Sequence, residues 1–96
     1  MFVDACAMVA VIMREDDAGR YNEALVGTIS SFTSPLAAWE ASIVLARPDK
    51  LDCSYSEAAD VVLDWLDGWG VELRESVHPR NVLTLAATVA EKHGLG

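Results

Sequence analysis

Residues 35 to 46 read PLAAWEASIVLA, a stretch in which only Glu40 and Ser42 are not apolar. Ser34 offers an N-cap, Pro35 suits the first turn of a helix, and Pro48 requires that helix to end before it. A helix this apolar must be covered on most sides, so the chain has to place other elements around it. Such burial is costly for Glu40, whose carboxylate loses its hydration unless a cation compensates. The stretch therefore demands a layered fold and a positive partner for one acid.

The flanking sequence predicts the layers. Met1-Phe2-Val3-Asp4-Ala5 is a short apolar run ending at an acid, as in a buried parallel strand whose carboxyl end meets solvent. Cys6 to Met13 is expected to be helical, and Asp16-Asp17 offers an N-cap for a second helix over Ala18 to Val26, closed by Gly27. Thr28 to Phe32 is β-branched and aromatic, as a second strand requires. After a loop over residues 48–53, Ser54-Tyr55-Ser56-Glu57 has the form of a capping box opening a fourth helix, which stops at Gly68-Trp69-Gly70. Val71 to Ser76 alternates as a third strand, and His78-Pro79 begins a last helix whose final turn carries Lys92 and His93. Strands separated by helices predict an α/β fold with a central parallel sheet.

At 96 residues the chain supports one core, and with 52% hydrophobic and 23% charged residues that core is affordable. No apolar run has the length of a membrane span, and Asp4 falls where a signal peptide needs positive charge. The two cysteines, Cys6 and Cys53, have no paired spacing, so neither a disulfide framework nor a zinc site is expected. A reducing, cytoplasmic setting fits that usage. The net charge of -8 argues against binding nucleic acid by phosphate neutralisation alone. An acidic chain can still hold RNA through clustered cations or a bridging metal, or serve as the acidic partner of a basic protein.

Two acids are the candidates for chemistry. Asp4 stands at a strand end, where open parallel sheets gather functional groups, although it also suits the cap of the following helix. Glu40 lies too far into its helix to be Ser34's capping partner, since that position is Ala37. Its plain alternative is a place on a narrow exposed stripe with Ala37, Val44 and Arg47. Carboxylates from a strand end and a neighbouring helix suit Mg²⁺ or Mn²⁺. By contrast, Glu57, Asp60, Asp64 and Asp67 recur at helical spacing and read as a solvated face.

The segments MFVDACAMVAVIMRED and ISSFTSPLAAWEASIVLARP resemble the first half of PIN-domain ribonucleases, in particular the VapC-type toxins of bacterial toxin–antitoxin pairs. EASIVLAR carries the most specific part of the likeness. The resemblance implies a PIN-like α/β/α fold in which Asp4 and Glu40 are metal-binding and catalytic carboxylates. The metal, Mg²⁺ or alternatively Mn²⁺, would activate water for attack on an RNA phosphodiester. It also implies a cognate antitoxin and a homodimer as partners, with no membrane. Cys6 stands where the family has Ser or Thr supporting the ligands, and a thiol is the weaker hydrogen-bonding group. Arg14, Arg47 and Lys50 are candidates for contact with RNA phosphate or antitoxin.

Residues 1–96 are read as one PIN-like domain that is incomplete at the carboxyl terminus, because the family's later carboxylates and strands follow the point where this sequence ends. The expectation is an endoribonuclease fragment of a longer parent, inactive or weakly active by itself. The alternative is a catalytically dead PIN-like module that dimerises or sequesters an antitoxin. If the family's further strands are missing, Phe2-Val3 should form a bare apolar edge.

Overall fold

The computed structural model describes residues 1–28, 30–74, 87 and 90–92. The helices are α1 (Ala5–Ile12), α2 (Ala18–Val26), α3 (Pro35–Ala46) and α4 (Tyr55–Trp69), with strands β1 (Ser31–Thr33) and β2 (Val71–Leu73). Ala87 and residues 90–92 are also helical, and the start of the last expected helix at His78-Pro79 lies outside the described residues, as does His93.

Local chemistry sets the helix ends. Asp4 caps α1, Ser34 caps α3 through the Ala37 N–H at 3.0 Å, and Ser54 caps α4 through the Glu57 N–H at 3.1 Å. The Ser54 hydroxyl also donates to Glu57 Oε1 at 3.1 Å, so the serine and the glutamate hold each other at the helix start. Gly70 closes α4 with φ of 67°, a left-handed conformation that costs glycine least. Asp17 occupies the N-cap position of α2 but makes no side-chain capping bond. Its ψ of -6° is helical, not extended, and its carboxylate instead lies 3.6 Å from Arg20.

The fold is mixed α/β with parallel pairing. β1 pairs with β2 in the register Ser31↔Val71, Phe32↔Glu72 and Thr33↔Leu73. The opening segment joins the other side of β1 through one parallel bridge, Phe2↔Phe32, so the expected first strand shrinks to a single bridging residue. Ala5 is already in α1, because the Asp4 cap turns the chain into a helix early. β1 begins later than Thr28 because that residue is still bound to α2, its hydroxyl donating to the Ala24 carbonyl at 2.6 Å. β2 ends at Leu73, and Glu75 and Ser76 of the expected strand lie outside the described residues.

The core lies where α3 packs against α1 and α4, with Val3 and Val71 contributed by the extended segments. Met8, Ala41, Leu45 and Ala58 have no exposed surface. Alanine at positions 41 and 58 keeps side chains short where they are fully enclosed, which suits close helix packing. Thr33 is also fully buried, and its hydroxyl donates to the Val3 carbonyl at 2.6 Å, tying the opening segment to β1.

Candidate functional site

On α3 the buried residues are Ala38, Ala41, Ser42, Ile43, Leu45 and Ala46; Ala37, Glu40 and Val44 form a less covered stripe that the exposed C-cap Arg47 continues, and Pro35, Leu36 and Trp39 are also incompletely covered. Ser42 is accommodated in the core by donating to the Ala38 carbonyl at 2.8 Å. Glu40 is half-buried on the stripe, and the cation it requires is Lys92, whose Nζ lies 2.9 Å from Glu40 Oε1. The Lys92 ammonium is held above the ordinary lysine range, chiefly because it donates this hydrogen bond.

A depression of about 390 Å³ opens beside this pair. Its charged lining is Glu15, Glu40 and Asp49 against Arg47, Lys50 and Lys92, so acids and bases balance. Cys6, at the start of α1, also faces it and is a free, exposed thiol. Lys50 donates to Glu15 Oε2 at 2.7 Å, clamping the turn after α3 to the turn after α1. That bond raises the Lys50 pKa, with desolvation opposing it.

Of the residues singled out from sequence, Cys6, Glu40, Arg47 and Lys50 therefore share one depression. Asp4 lines a separate groove of about 310 Å³, with Phe2, Arg20, Tyr21 and Leu25. Its Oδ1 accepts the Ala7 N–H at 2.8 Å, so the expected cap is present. Arg14 lies in the turn after α1 with φ of 54° and lines neither cavity. Sequence reasoning gave Lys92 only a helix-end role, because nothing local announces a contact with a residue 52 positions earlier.

Both Asp4 and Glu40 supply oxygen donors of the kind Mg²⁺ takes, and Cys6, two residues from Asp4, faces the same space as Glu40. The two carboxylates, however, line different depressions. Among the described residues, no group of three or more His, Cys, Asp or Glu side chains is placed to hold an ion. Glu57, Asp60, Asp64 and Asp67 are all exposed along α4, as a solvated face should be. No helix among the described residues is long and apolar enough to cross a membrane. Comparison with protein-family models, with curated proteins and with solved structures gives no match to this chain.

Proposed function

We propose that the chain is a PIN-like α/β/α domain of the VapC type, the toxin of a toxin–antitoxin pair and a Mg²⁺-dependent endoribonuclease. The observation that carries this reading is Glu40, a carboxylate in an apolar helix that lines a depression beside the start of α1. Asp4 supports it from the carboxyl end of a parallel-bridged segment, with one oxygen fixed by the Ala7 N–H and Oδ2 making no bond among the described residues.

In this reading Asp4 and Glu40 hold Mg²⁺, or Mn²⁺ in its place, together with ligands beyond these two. The bound ion supplies an activated water and charge neutralisation at an RNA phosphodiester. The chain's own contribution is to fix the carboxylates. α3 presents Glu40 from a rigid, packed helix, and the α1 cap holds Asp4. Arg47 and Lys50, in the same depression as Glu40, would contact RNA phosphate or an antitoxin in this reading; Arg14 is the more remote candidate. A cytoplasmic homodimer with a cognate antitoxin completes the proposal. Two carboxylates hold a divalent ion loosely, so RNA cleavage by this chain is expected to be weak.

The test is cleavage of a fluorescently labelled RNA in Mg²⁺ or Mn²⁺. Metal-dependent cutting that Glu40→Gln removes supports the reading, and equal cutting by both forms overturns it. A second reading, a PIN-like module that binds without catalysis, is favoured by the Lys92 contact, which already neutralises Glu40. It predicts that dimer formation or antitoxin capture proceeds equally well in Glu40→Gln, with no cleavage by either form.

A further inference from the structure

What sets the acidic face of α4 apart from a merely solvated one is the apolar surface within it. Leu63 lies one helical turn from both Asp60 and Asp67, yet it is 49% exposed. Beside it a groove of about 340 Å³ opens between α4 and β2. Buried Leu66 and Val71 line this groove together with Leu63 and the half-exposed Leu73. Asp64 and Asp67 are the charged residues in its lining. The groove shares no residue with the depressions that Glu40 and Asp4 line.

The chain brings no counter-charge to this groove. α4 contains no lysine or arginine. Arg20, Lys50, Arg74 and Lys92 pair with Asp17, Glu15, Glu72 and Glu40, and among the described residues no cation pairs with Asp60, Asp64 or Asp67. Arg74, the nearest in sequence, alternates with Leu73 to the other side of β2, where its guanidinium lies over the Phe32 ring. A second copy laid on this face would set the same acids against each other, on a chain whose net charge is -8. Nucleic acid and anionic lipid are repelled for the same reason. The apolar lining calls for an apolar side chain, and the unneutralised acids beside it call for cations.

We propose that the groove between α4 and β2 docks a cationic peptide segment of a partner protein. An apolar side chain of that segment sits against Leu63, Leu66, Val71 and Leu73, and its lysines or arginines meet Asp64 and Asp67 at the rim. The apolar contact supplies affinity, and the charges select the partner and speed its approach.

The experiment is fluorescence anisotropy of short labelled peptides titrated with the whole chain. A peptide of lysine and leucine is expected to bind, with affinity that falls as salt is added. Peptides of lysine and serine, or of glutamate and leucine, should bind at least about ten-fold more weakly. Asp64→Asn combined with Asp67→Asn should weaken the lysine–leucine peptide by about three- to ten-fold, as loss of two exposed ion pairs allows. Leu63→Ala should weaken it by about five- to ten-fold. Asp16→Asn combined with Glu23→Gln removes the same charge from exposed positions elsewhere and should change nothing. Equal binding of the lysine–serine peptide, or equal losses in the two double variants, would reduce the attraction to net charge and overturn the proposal. So would unchanged binding in Leu63→Ala. Absence of binding to the parent chain overturns it too: a melting temperature lowered by Leu63→Ala would then mean that the chain covers the groove itself, and altered sedimentation that a second copy does.

Discussion

Phe2 and Phe32 meet twice, through a parallel backbone bridge and through an edge-on ring contact with centroids 5.6 Å apart at 61°. Met1 O accepts the Phe32 N–H at 2.9 Å and the Val3 N–H donates to Phe32 O at 2.8 Å, so Phe2's own N–H and carbonyl point away from β1. The Arg74 guanidinium also lies over the Phe32 ring, 4.3 Å from the centroid. The apolar Phe2 side chain remains 49% exposed, and its backbone makes no bond on the outer side among the described residues.

An exposed apolar edge of this kind invites a further strand. Replacing Phe2 by Lys should lower self-association, read by sedimentation velocity across a range of concentrations. Loss of the aromatic pair should cost about 0.5–1.5 kcal/mol of stability. A parent chain that stays monomeric at every concentration, with no change in Phe2→Lys, would show that the edge is covered by other means.

Thr33 tests the link between the opening segment and β1. Its hydroxyl and the Val3 carbonyl are enclosed together, so Thr33→Val keeps the shape and leaves the carbonyl without that donor. The expected cost is about 1–3 kcal/mol in urea unfolding, with Thr33→Ser much closer to the parent. Equal stability of Thr33→Val and parent would mean that Val3 finds another donor.

The elements legible in the sequence are those that local chemistry specifies. Ser34, Pro35 and Pro48 bracket α3, and Ser54 with Gly70 brackets α4, because caps and proline act within a turn of themselves. Asp17 shows the limit of that reasoning: the residue type was right for a cap, but the backbone entered the helix without the extended turn a cap uses. Strand lengths were less legible, since the Asp4 cap and the Thr28 hydroxyl each took residues from an expected strand. The need of Glu40 for a cation followed from its apolar helix. The identity of that cation did not, because Lys92 is brought to it only by the packing of distant segments.

Lys50 and Glu15 give a pH-dependent prediction. Because the folded-state pKa of Lys50 is raised by its bond to Glu15, the stabilisation is complete below the unfolded lysine value and disappears as pH rises through the folded one. Lys50→Met should therefore melt below the parent by a constant interval from neutrality to about pH 9, and the interval should narrow above the lysine range. Thermal melts of both forms across that range check it, and an interval that widens at high pH would contradict the sign.

Asp4 is both the cap of α1 and a proposed metal ligand, and two substitutions separate the roles. Alanine removes the acceptor of the Ala7 N–H, which should cost about 1 kcal/mol of stability. Asparagine is as good an N-cap as aspartate, so Asp4→Asn should keep the melting temperature while removing the charge a divalent ion needs. If Asp4 binds metal, Asp4→Asn loses Mn²⁺ affinity and RNA cleavage at unchanged stability. If it only caps the helix, Asp4→Asn matches the parent in both, and any effect of Asp4→Ala on cleavage tracks its loss of folding. Melting temperature and Mn²⁺ affinity measured on the same three proteins decide between them, because a cap responds to the loss of an acceptor and a ligand to the loss of a charge.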